Sequence, residues 1–197
     1  MYNYIHVKLK VNIKFRQYKT QCKFLPHAIF ARWEREIKGE KEMTKRERAD
    51  AVFKCYCDFL DGKNFKYQRD ESERSIILQI TGEDFPMTTL FKVEEEHERT
   101  FVFSKIPFEA QKEKLTDLIM ATTFINQVLA IGAFCVDTEN LYCSFESNEI
   151  YTGLEGFNAE YAERVIISAF SAIEKYNDKL FAINKGLMTV RDFSKQL

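Results

Sequence analysis

The chain has 197 residues, 45% of them hydrophobic and 30% charged, with a formal net charge of −1. Those are globular values, which exclude a disordered or fibrous chain, and the length suits one ordinary domain with a full core and an appendage. The charge is uneven: residues 1–48 hold 13 Lys/Arg against 5 Glu and residues 49–197 hold 16 against 25, so the net moves from +8 to −9.

The first segment, Tyr4 to Tyr18, alternates strictly. Ile5, Val7, Leu9, Val11, Ile13 and Phe15 share one side, and Lys8, Lys10, Lys14 and Arg16 share the other. As a strand it puts a basic stripe opposite an apolar one. That stripe is either a basic arm for nucleic acid or an edge strand protected by its lysines. A third reading concerns translation. Lys38-Gly39-Glu40-Lys41-Glu42 precedes Met43, and its codons can form a purine-rich run resembling a bacterial ribosome-binding sequence. Residues 1–42 are then an over-extended reading frame, and residues 43–197 form a single domain. If the segment is real, Pro26, Ile29, Trp33 and Ile37 read as a short helix.

Thr44 followed by Glu47 is a capping box. Behind it Ala49, Val52, Phe53, Tyr56, Phe59 and Leu60 recur at helical steps as far as Gly62, which suits a left-handed helix end. Cys55 and Cys57 are two apart, so they point to different sides and cannot chelate one metal together. Four short strands follow: 65–69, 75–81, 87–93 and 100–103, separated by acidic or Gly-containing turns and closed by Pro107. β-branched and aromatic runs punctuated this way predict an antiparallel meander.

Phe108 to Ile131 reads as the second long helix, with Gly132 as its stop and Asn126 as either a satisfied core amide, the favoured reading, or a ligand-touching group. A hairpin, 133–137 and 141–145, comes next. Asn158 is a plausible N-cap for the last long helix, in which Ala162, Ile166, Ala169, Ile173, Tyr176 and Leu180 step by four and three. Gly186 ends that helix, and Thr189 to Phe193 starts a short final one. Strands occur in blocks between helices, which predicts an α+β fold: a four-strand meander plus a hairpin, forming an antiparallel sheet packed against long helices.

No catalytic set is legible. His6, His27 and His97 are the only histidines. His97 sits in the acidic turn Glu94–Glu98, whose spacing matches no familiar metal site and reads as a solvated hairpin tip. No phosphate-cradling Gly-rich loop and no nucleophile elbow occurs. The expectation is therefore no enzyme, no cofactor and no metal. An odd count of five cysteines without Cys-x-x-Cys, no signal-peptide pattern, and no apolar run near the roughly 20 residues of a membrane span point to a soluble cytoplasmic protein.

The order from Met43 resembles the YbjN-like family, bacterial domains labelled as sensory transduction regulators. The matching features begin with the helix running into a strand at Phe59–Tyr67 and the acidic-turn meander ending at Ile106-Pro107. They continue with the Asn126 helix leading to Gly132-Ala133-Phe134-Cys135-Val136-Asp137, and with a tail holding Tyr176-Asn177-Asp178 and Lys185-Gly186-Leu187. That family is similar in fold to the chaperones of type III secretion. The resemblance implies a non-enzymatic regulatory or chaperone-like module that binds protein segments of an unidentified client, and a homodimer. The last long helix is apolar over more than half its circumference. Ile167 and Phe170, beside its main stripe, are the expected dimer contacts. The alternative is a nucleic-acid-associated regulator using Lys8, Lys10, Lys14, Arg16 and Lys23; it is the less expected partner because the basic arm vanishes if translation starts at Met43.

Overall fold

The computed structural model describes residues 43–152 and 158–197. The basic residues Lys8, Lys10, Lys14 and Arg16, and the reading of residues 1–42 as an extension, lie outside them. Helix α1 (Lys45–Gly62) is followed by strands β1 (Tyr67–Asp70), β2 (Ser75–Thr81), β3 (Pro86–Glu94) and β4 (Arg99–Glu109). Then come helix α2 (Leu115–Val128), strands β5 (Ala133–Asp137) and β6 (Tyr142–Ile150), helix α3 (Ala159–Asn184) and the short α4 (Val190–Ser194). The described strands form one antiparallel six-stranded sheet in the order β1-β2-β3-β4-β6-β5. The fold is α+β, a meander extended by a hairpin whose second strand pairs with β4.

Local chemistry sets the helix starts. Glu47 N–H donates to Thr44 Oγ1 at 3.2 Å, and Thr44 N–H donates to the Glu47 carboxylate at 2.7 Å, so the capping box closes where the sequence places it. Asn158 caps α3 by accepting from Tyr161 N–H at 3.0 Å. The left-handed residue after α1 is Asn64 (φ 58°), not Gly62, which is still helical; asparagine tolerates that region because its short side chain interacts locally.

Alternation divides β2, β3 and β4 between two faces. Ile76 and Leu78 of β2, Met87, Thr89, Phe91 and Val93 of β3, and Thr100, Val102, Ser104 and Ile106 of β4 are all buried. Phe134 of β5 and Cys143, Phe145 and Ser147 of β6 continue that layer. Aromatic contacts tie it to the helices: Tyr56 to Phe91 at 6.2 Å, Phe91 to Phe170 at 6.3 Å, and Phe134 to Tyr176 at 5.9 Å between ring centroids. Helix α3 meets both α1 and α2.

Two strands are longer than the sequence suggests. β4 does not close before Pro107 but runs through it to Glu109, with the register shifting between Lys105 and Glu109. A proline has no ladder donor to lose at a bulge, which is where strands tolerate it. The chain from Phe108 to Gln111 is therefore strand and connection, and α2 spans Leu115–Val128 in place of the longer helix expected. β6 passes Phe145 and reaches Ile150, since β4 offers partners as far as Arg99. Gly132 (φ 75°), just before β5, passes β6 so closely that a Cβ there would lie 2.4 Å from the Phe145 ring.

Candidate interaction surfaces

Among the described residues, the helices cover one face of the sheet and leave the other without a helix. Register places Ile77, Leu90 and Phe103 side by side across β2, β3 and β4, with Phe101 one step along and Tyr142 on the neighbouring β6. Phe101 and Phe103 lie 6.4 Å apart between centroids and stack, Phe103 meets the edge of Tyr142 at 6.4 Å, and the Lys105 ammonium sits 4.9 Å over the Tyr142 ring. Ile77 is 40% exposed; Leu90, Phe101, Phe103 and Tyr142 are half-buried. An apolar aromatic row on a solvated sheet face costs free energy in water and marks a contact surface.

The sequence-predicted dimer contacts separate. Ile167 is 44% exposed, whereas Phe170 is 7% exposed and packs on Phe91. Ile167 is flanked one turn away by exposed Glu163, Arg164 and Ser171, so it is a lone apolar side chain and not part of a patch. The second side of α3, for which the sequence suggests a partner chain, is covered from within by α1 and α2.

Two asparagines fasten backbone that the sequence does not reveal as their partner. Asn126 is not a core amide. It donates to Phe134 O at 2.9 Å and accepts from Phe134 N–H at 2.8 Å, so it acts as a strand partner for the outward backbone of edge strand β5. Asn184, fully buried, accepts from Gln111 N–H at 2.8 Å and donates to Glu109 O at 2.9 Å, fastening the end of β4 to the end of α3. Asn177 is also fully buried, and its carbonyl accepts from Asp178 N–H at 2.6 Å.

The acidic turn is a docked corner as well as a solvated tip. Glu98 (φ 49°) is buried and bonded to Arg48 Nε of α1 at 2.7 Å; Arg74 reaches Asp50 at 2.6 Å and Glu95 at 3.2 Å. Lys45 donates to Glu96 O at 3.0 Å, and Tyr151 donates its hydroxyl to Glu94 O at 2.9 Å. The Arg99 guanidinium, bonded to Glu94 at 2.5 Å, holds that carboxyl below its ordinary range. His97 lies 3.4 Å from Glu94 on the exposed side. These charges clamp the β3–β4 turn to α1 and to the chain after β6.

No chemical centre emerges among the described residues. No group of three His, Cys, Asp or Glu is placed to hold a metal, and no helix is long and apolar enough to cross a membrane. Cys55, Cys57, Cys135 and Cys143 are free thiols. Cys55 donates to Asn158 O at 2.7 Å while Cys57 sits beside Tyr67 and Arg69, so the two point apart. Burial pushes the Cys143 thiol up to about 12. A depression between the β2–β3 turn and α3 is shallow and is lined by Glu174, which accepts from Glu83 N–H at 2.6 Å.

These features define an α+β protein whose described residues place an apolar aromatic row on one face of the sheet. No family model and no curated protein matches the chain. Solved structures do resemble it. A chain of the HopA1–SchA chaperone–effector complex is similar at TM-score 0.49 and 11% identity, over 66% of this chain and 95% of that one. The ExsC–ExsE complex gives 0.47 and 10%, over 71% and 97%. YbjN from E. coli gives 0.46 and 9%, over 64% and 92%. The YbjN-like resemblance read from the sequence recurs here, and at this identity it concerns fold alone.

Proposed function

We propose that this protein is a non-enzymatic interaction module that holds an extended segment of another polypeptide against the open face of its sheet. The observation that carries the reading is the row Ile77, Leu90, Phe101, Phe103 and Tyr142 on the face opposite the helices. A pleated face presents apolar side chains at regular intervals, which suits an extended chain whose alternate side chains are apolar. Free, mostly buried thiols suit a reducing compartment such as the cytoplasm. Residues 43–197 are expected to fold alone; a chain cut before Met43 tests this through a cooperative urea transition.

The test is binding to an array of short peptides, for the unmutated chain and for the double variant Phe101→Ser, Phe103→Ser. Peptides rich in alternating apolar residues should bind the first and lose at least about tenfold in affinity on the second, equivalent to about 1.4 kcal/mol. Equal binding by both removes the sheet face from consideration. A labelled single-stranded oligonucleotide at low and high salt tests the alternative partner, because phosphate binding weakens steeply with salt.

A further inference from the structure

Register fixes which charges share the open sheet face with the aromatic row. Lys92 stands opposite Phe101, Arg99 opposite Glu94, Glu146 opposite Phe103 and Asp137 opposite Tyr142. Most of them are engaged nearby. Lys92 pairs with Glu73 at 3.0 Å and Arg99 with Glu94 at 2.5 Å, while Asp137 accepts from Glu139 N–H and Asn140 N–H in its own turn. Lys105 is different. It continues the β4 line of Phe101 and Phe103 by the same two-residue step, and it is exposed. Among the described residues no carboxylate pairs with it; its ammonium lies 4.9 Å over the Tyr142 ring. A free cation thus ends the apolar row.

We propose that Lys105 is the carboxylate anchor of the client segment. The polypeptide held on this face carries apolar side chains at two alternate positions, over Phe101 and Phe103, and an acidic side chain at the next alternate position, over Lys105. The inference rests on the open-face reading and adds the client's charge pattern to it. Side chains on one face of an extended chain repeat every two residues, and β4 has the same repeat, so three successive steps stay matched. Two neighbours fix where the acid goes. The Tyr142 ring covers one side of the ammonium, so an arriving carboxylate meets a cation already partly screened from water. Glu146, opposite Phe103 and one step back along β4, repels the same carboxylate placed over the middle of the row.

The test uses synthetic peptides of alternating valine and serine with blocked ends, each carrying one glutamate or one glutamine two residues beyond the last valine, made in both chain directions. Affinities are measured for the full chain and its variants. In one direction the glutamate peptide should bind the unmutated chain about fivefold or more tightly than the glutamine peptide. That preference should vanish in Lys105→Met, persist in Lys105→Arg, and pass to a lysine peptide in Lys105→Glu. It should shrink at high salt while the apolar part of the affinity remains. Lys105 is exposed, so the urea midpoint should be unchanged in all three variants. Suppose the peptides bind and lose affinity on Phe101→Ser, Phe103→Ser, yet glutamate and glutamine versions bind alike in both directions. The anchor is then overturned and the open-face reading stands. A preference that survives in Lys105→Met overturns the anchor equally. Absence of binding by every peptide, or equal binding by the double variant, removes the open-face reading and the anchor with it.

Discussion

Replacing Asn184 tests how the end of the sheet is fastened. Its side-chain carbonyl and amide satisfy Gln111 N–H and Glu109 O at 2.8 and 2.9 Å, and the residue is fully buried. Asn184→Leu keeps the volume and deletes both bonds. Each bond contributes about 1 kcal/mol net, and a buried backbone group left unpaired costs about 1–3 kcal/mol. The expected loss is therefore about 3–5 kcal/mol, a large part of a domain's whole stability. Asn126→Leu removes the same pair of bonds, to Phe134 at 2.9 and 2.8 Å, but at an exposed residue. Water can replace that amide, so its loss should stay near 1 kcal/mol. Urea unfolding with a common slope separates the two, because a change in midpoint at constant slope reports stability alone. Equal losses from both variants would refute the claim that burial, and not bond count, sets the cost.

Gly132→Ala should destabilise by about 2–4 kcal/mol, read by the same urea midpoint, since φ is positive and the new methyl meets the Phe145 ring at 2.4 Å. Among the four described cysteines, iodoacetamide should label exposed Cys135 first and spare Cys143, whose buried thiol is pushed up to about 12, until the chain unfolds; mass spectrometry after timed quenching checks the order. Glu94 has a folded pKa below its ordinary value of 4.5 because Arg99 bonds to it. Its contribution is present above that value and is lost as the pH falls through the folded one. Thermal scans in acid should therefore fall more steeply for the unmutated chain than for Arg99→Gln, and parallel curves would show that the pair contributes nothing.

Much of the architecture was legible because it is written in local chemistry. The Thr44–Glu47 box and the Asn158 cap are side-chain contacts within one turn, and the structure shows both bonds. The buried layer of β2 and β3 follows a two-residue period that any pleated strand must obey. Of the candidate surfaces, the sequence showed the exposed position of Ile167 on α3 but not the absence of apolar neighbours around it. The Asn126 and Asn184 bonds join residues to backbone that only the folded chain brings near, so their types alone gave no signal.

What the sequence by itself determined is the set of main elements from Met43 and their order, since these follow from period and capping over a few residues. Tertiary structure decided what those rules leave open. β4 runs through Pro107 because a bulge removes the penalty, and β6 reaches Ile150 because β4 has partners to give it. Glu98 is buried because Arg48 of α1 meets it. α1 and α2 cover the far side of α3, so Phe170 belongs to the core. The same packing turns one side of α2 inward and leaves Met120 and Val128 facing water.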